Sequence, residues 1–170
     1  MSYKENFVNF IIDESDSKDW NNTVHEWNIV TYDIDSSLSS ECICGKTGIK
    51  HLFGIKNILN SNYIFPIGSE CIKKFGREDL DIEINESIQY LELIDKVRKG
   101  EFITIKDFSR KLIDLLEEKE VFGDYNQYDF FKGMFNKQTK PTEKQESFIR
   151  GIIGYQILPF IYRELNMKEK

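Results

Sequence analysis

The stretch ECICGKTGIKHLFGIKNILNSNYIFPIGSECIKKFG, residues 41–76, holds all three cysteines of the chain, Cys42, Cys44 and Cys71, and one of its two histidines, His51. Cys42 and Cys44 are one residue apart and are followed by Gly45. That arrangement suits a tight turn whose amides fold back toward sulfur, with glycine supplying dihedrals that a Cβ would hinder. HLFGIKNI and YIFPIG are β-rich runs separated by LNSN, which is turn chemistry for a hairpin. Ser69 is placed to cap a helix that carries Cys71 in its first turn and stops at Gly76.

Thiolates gathered by a turn and by a helix start are the usual donors of a structural zinc site, which takes four tetrahedral ligands. Cys42, Cys44 and Cys71 are the expected ligands, with Zn2+ as a structural cofactor. The usual spacing places two residues between paired cysteines, and here there is one. Free cysteines also serve as small buried hydrophobes. The agreement of turn, glycine, hairpin and helix start favours the metal.

The knuckle, hairpin and helix resemble a treble-clef zinc finger. In that fold the helix supplies two ligands three residues apart, but Lys74 stands where the second belongs. The fourth ligand stays open: His51 at the hairpin start is the first choice, His25 the second, and a carboxylate, water or partner residue completes the alternatives. Glu70, beside Cys71, is a general base only if the fourth position holds water. No two-histidine helix motif, phosphate-binding glycine loop or nucleophile elbow is present, so an enzyme is not expected.

Working outward, SKDWNNTVHEWN places Trp20, Val24 and Trp27 on one face of an expected helix over 17–28. NIVTYDID alternates as a short strand, and SSLSSE is a polar loop leading to Cys42. Beyond residue 80 the pattern is mainly helical. Ile84, Ile88, Leu91, Ile94 and Val97 share a face that Gly100 ends, and FITI is an extended link. DFSRKLIDLLEEKE and YNQYDFFKGMFNK follow as helices, the second with its aromatics inside. Thr142 and Gln145 form a capping box for a last helix that Pro159 should kink or break. The expected class is α+β: residues 1–80 form a helix, a strand and the zinc module, and residues 81–170 a helical subdomain packed on it.

The 170 residues are 40% hydrophobic and 31% charged, the composition of a folded domain. No apolar run is long enough to span a membrane, and the N-terminal patch lacks the features of a secretory signal, so a cytoplasmic protein is expected. Net charge is −6, yet residues 42–77 form a basic island: Lys46, Lys50, Lys56, Lys73, Lys74 and Arg77 against Glu70 alone. These six cations are the candidate phosphate contacts of a nucleic-acid-binding finger, with Phe53, Tyr63 or Phe65 available to stack on an unpaired base. The competing expectation is an acidic module that binds a basic protein partner, with zinc only holding the fold.

Cys42, Cys44, Gly45, Ile55, Lys56, Asn57, Ile67, Gly68, Ser69, Cys71, Ile72, Lys74 and Phe75 resemble a pattern shared by small, largely uncharacterised proteins of bacteriophages and mobile elements of Gram-positive bacteria. Those proteins have a C-x-C-G knuckle, an I-K-N strand and an I-G-S-x-C-I-x-K-F helix start. HEWNI, DFSRKLIDLLEE and MFNK fit the same pattern. The resemblance implies a phage-type accessory protein, hence the host cytoplasm, and no established activity. The protein-binding expectation includes a phage-encoded inhibitor of a host or defence protein.

Overall fold

The computed structural model describes residues 2–167 and divides into two compact units, residues 1–92 and 93–170. The architecture is α+β. In the first unit, helix α1 (Tyr3–Asp13) and the single turn α2 (Trp20–Thr23) precede strand β1 (Trp27–Ile34). β2 (His51–Asn57) and β3 (Tyr63–Gly68) follow, then α3 (Ser69–Ile72) and a 3₁₀ turn (Lys73–Phe75). α4 (Glu78–Arg98) contains the boundary between the units.

The strands form an antiparallel sheet in the order β1-β2-β3. β1 and β2 pair from Trp27 opposite Asn57 to Ile34 opposite His51, and a bulge between Ile29 and Thr31 leaves Val30 outside the ladder. On the inner face Trp27, Phe53, Ile55 and Ile67 are fully buried with Phe7 and Ile11 of α1 and Ile84 of α4. Burying side chains of this size supplies about 1.5–3 kcal/mol each, the main drive for the unit to close. Phe75 joins this core beside α1 and α2, with its ring 5.6 Å from both Phe7 and Trp20.

The expected helix over 17–28 is reduced to α2. Asp19 caps it through the amide of Asn22, but Asn21, Asn22 and Thr23 are weak helix formers. Tertiary bonds then take the next residues away. The buried Glu26 carboxylate accepts from the amides of Asp16 and Ser17 and from Asn57 Nδ2, all within 2.9 Å. Trp27 Nε1 donates to Ser15 Oγ at 2.8 Å. Trp27 therefore opens β1, while Trp20 stacks on Phe75.

Two further expectations change. Gly68, in extended conformation, occupies the N-cap of α3 with no side-chain cap, and Ser69 is the first helical residue. Gly76 ends the following 3₁₀ turn with φ 64°, as expected. At the N-terminus an unanticipated helix, α1, is fixed by a capping box between Ser2 and Glu5.

In the second unit a 3₁₀ turn (Ile105–Asp107) leads to α5 (Arg110–Glu118), α6 (Tyr125–Asn136) and α7 (Glu143–Ile152). Phe131 of α6 is buried against Phe108 and Phe122, at 5.1 and 5.5 Å between ring centroids. Tyr125, in contrast, faces solvent, so the α6 aromatics are only partly internal. Thr142 and Gln145 form the expected capping box on α7. Before Pro159 the α-helical ladder widens into a π turn (Ile153–Ile157) and then resumes as α8 (Leu158–Glu164). The chain stays helical because the π turn just before Pro159 takes up the hydrogen bond that its missing N–H cannot make. Among the described residues no helix is long and apolar enough to cross a membrane.

Candidate metal centre

The polar loop before Cys42 is built around Asp35. Its carboxylate accepts from the amides and hydroxyls of Ser37, Ser39 and Ser40. Those bonds, led by the Ser37 and Ser40 hydroxyls, hold the carboxyl far below the usual range. The loop delivers the chain into a knuckle where Glu41 bridges Thr47. Cys42 N donates to Lys46 O and Gly45 N to Cys42 O, both at 2.8 Å. Gly45 has φ +94°, the left-handed region that glycine reaches without strain. Asn6 of α1 donates to Cys44 O at 3.3 Å, and Ile43 N donates to Pro66 O at 3.3 Å. The knuckle is thereby tied to both α1 and β3.

Three buried sulfurs result. Those of Cys42, Cys44 and Cys71 all lie within 4.8 Å of one another, and Cys42 Sγ is 3.6 Å from Cys71 Sγ. None is in a disulfide. Thiolates about 2.3 Å from a tetrahedral metal stand roughly 3.8 Å apart, so the observed spacing needs little adjustment to hold an ion. Among the described residues this is the one such cluster, and it could hold a metal.

The environment favours thiolate at Cys42. The sulfur–sulfur hydrogen bond between Cys42 and Cys71 pushes the Cys42 thiol down against burial, and the amides of Cys44 and Gly68 support the same direction, Gly68 N lying 3.4 Å from the sulfur. Cys71 is pushed up by that same bond and by burial. Against Cys71 the chain places a cation: Lys74 Nζ is 3.4 Å from its sulfur and 5.3 Å from the Phe7 ring centroid. Where a treble clef carries a ligand, this chain carries a counter-charge.

His51 lines the same cavity of about 180 Å³ as the three cysteines but is not part of the sulfur cluster. Its Nε2 is 2.7 Å from Glu92 Oε1, and Lys50 Nζ bonds both oxygens of that carboxylate at 2.8 and 2.6 Å. Glu92 was not singled out by sequence, because its distance of 41 residues from His51 hides the contact. His25 is exposed and is also outside the cluster. Glu70 lines the cavity and pairs with Lys73 at 2.9 Å, which holds its carboxyl below the usual range and makes it a poor proton acceptor.

The basic island is largely spent on internal bonds. Lys50 is paired with Glu92, Lys73 with Glu70 and Lys74 with Cys71. Arg77 pairs with Asp79 and donates to the carbonyls of Val24 and Trp27. Lys46 and Lys56 are exposed. Of the stacking candidates, Phe53 is fully buried in the core, whereas Tyr63 and Phe65 are exposed two residues apart on β3. Tyr63 lies across Gly54 and donates to Thr31 Oγ1 at 3.1 Å. Compared with known protein families, with curated proteins and with solved structures, the chain matches none.

Proposed function

We propose that this is a zinc-stabilised protein-binding module of the phage or mobile-element accessory type, in which the metal is structural and the outer face of the sheet docks on a host protein as an inhibitor. Zinc would sit on Cys42, Cys44 and Cys71. His51 would take the fourth position through Nδ1, with Glu92 on Nε2 as its orienting carboxylate. The observation that carries the binding role is an exposed apolar strip: Tyr63 and Phe65 on β3, Val30 in the β1 bulge, and Ile58 and Leu59 at the hairpin tip. Aromatic and aliphatic side chains with few charges are the composition of an interface centre. The acidic residues 1–41 favour a partner with a basic surface.

The test is capture from a host lysate with wild type and with Tyr63→Ser/Phe65→Ser. A stoichiometric protein that survives nuclease treatment and is lost with the double variant supports this reading. A nucleic-acid role keeps one specific observation, the exposed Lys56 directly opposite Tyr63. Salt-sensitive binding of single-stranded DNA or RNA by the purified protein, lost with Lys56→Glu, would replace protein binding with that role.

A further inference from the structure

The acidic chain has a second concentration of positive charge, in the second unit and away from the cysteines in sequence. A cleft of about 530 Å³ lies between the segment before α5 and the start of α7. Its apolar wall consists of Ile103, Ile105, Pro141 and Ile149. Its polar wall carries Lys106, Lys140 and Arg150 against Glu146. Arg150 reaches Glu146 only at 3.4 Å and with half its side chain or more in solvent, and among the described residues neither Lys106 nor Lys140 has an ion pair. The ring of Phe102 stands in the same cleft 82% exposed, which is unusual for a phenylalanine with an apolar wall beside it.

We propose that this cleft binds a nucleoside 5′-phosphate. Three cations against one carboxylate leave a surplus of two positive charges, matching a phosphomonoester of about −1.5 to −2 at neutral pH. A carboxylate ligand would use only half of that surplus. Arg150 offers a planar donor pair to phosphate oxygens, and the two lysines add point charges. A flat heterocycle lies on the isoleucine wall with its second face toward Phe102, where base–aromatic stacking adds to the phosphate contacts. The volume falls within the range of small-ligand sites, roughly 300–1,000 Å³.

The experiment is calorimetric titration of the full chain with AMP, adenosine and inorganic phosphate in parallel, in low salt. AMP is expected to bind at one saturable site, with adenosine and phosphate each at least about tenfold weaker. Lys140→Ala/Arg150→Ala should lose AMP binding by about tenfold or more while its thermal melt matches wild type. Phe102→Ala, which removes an exposed ring and leaves the core intact, should weaken AMP and leave phosphate unchanged. No saturable AMP binding into the millimolar range overturns the proposal. So does phosphate binding as well as AMP, because the apolar wall then has no part. Retention of full AMP affinity in the double variant also overturns it. None of these results bears on the sheet face, whose test uses different residues and a different readout.

Discussion

Lys74 Nζ sits 3.4 Å from Cys71 Sγ, one helical turn beyond it, at the position where a second helix-borne ligand would stand. A cation there stabilises a thiolate without occupying a coordination site. Lys74→Ala is expected to lower zinc affinity by about tenfold, in line with other losses of partners just outside a metal's ligands. Lys74→Arg should recover most of it. Competition with a chromogenic chelator reads affinity, and a metal-free melt separates it from the packing of Lys74 on Phe7.

Metal content gives the direct check on the three sulfurs. Wild type purified under reducing conditions without chelator should carry zinc at one equivalent per chain, and Cys71→Ser should carry none. His51→Ala should weaken binding without changing that stoichiometry, because three thiolates remain. Chelation should raise amide exchange across the knuckle, residues 41–47, which a single bridge between Glu41 and Thr47 closes, and leave residues 93–167 protected. Zinc-free wild-type protein with unchanged exchange would refute the metal centre.

The local signals were legible in the sequence wherever one short stretch carried them. Gly45 and Gly76 marked the knuckle turn and the end of the helical segment, and both adopt positive φ. Thr142 and Gln145 announced α7. Ser2 and Glu5 carry the same capping signal for α1, and the apolar patch behind them supplies its buried Phe7 and Ile11. What periodicity could not reveal was the capture of Glu26 by Asp16, Ser17 and Asn57, which overrides the helical spacing of Trp20, Val24 and Trp27. Charge counting likewise missed how the basic island is used. Lys50 and Glu92 are 42 residues apart, so their pairing is invisible before folding.

Glu26 makes an acid-stability prediction. Burial pushes its carboxyl up, but bonds from Asn57, Ser17 and Asp16, with the charge of Lys18, outweigh burial and leave it below the ordinary value. A lowered folded-state value means the group stabilises the fold above the unfolded carboxylate value of about 4.3 and loses that contribution as pH falls toward the folded value. Glu26→Gln should cost about 1–3 kcal/mol at neutral pH, since it removes charge-assisted bonds. Urea unfolding at a series of pH values should show the gap between variant and wild type closing below about pH 4. A gap independent of pH would assign the loss to shape rather than to charge.

Gly54 and Tyr63 make the last. A Cβ on Gly54 would stand 2.6 Å from the Tyr63 hydroxyl and 2.8 Å from Thr31 Cβ, closer than van der Waals contact allows. Gly54→Ala must therefore lift the Tyr63 ring from the sheet and break its bond to Thr31, at a cost of about 1–3 kcal/mol. Tyr63→Ala alone exposes Gly54 and loses cross-strand packing of about 0.2–1 kcal/mol. Combined, the two should cost less than their sum, because with the ring gone only the Thr31 contact opposes the new methyl group. Chemical denaturation of the four proteins in a double-mutant cycle measures that coupling. Strict additivity would mean that the ring does not rest on Gly54, and the exposed strip would lose its flat aromatic centre.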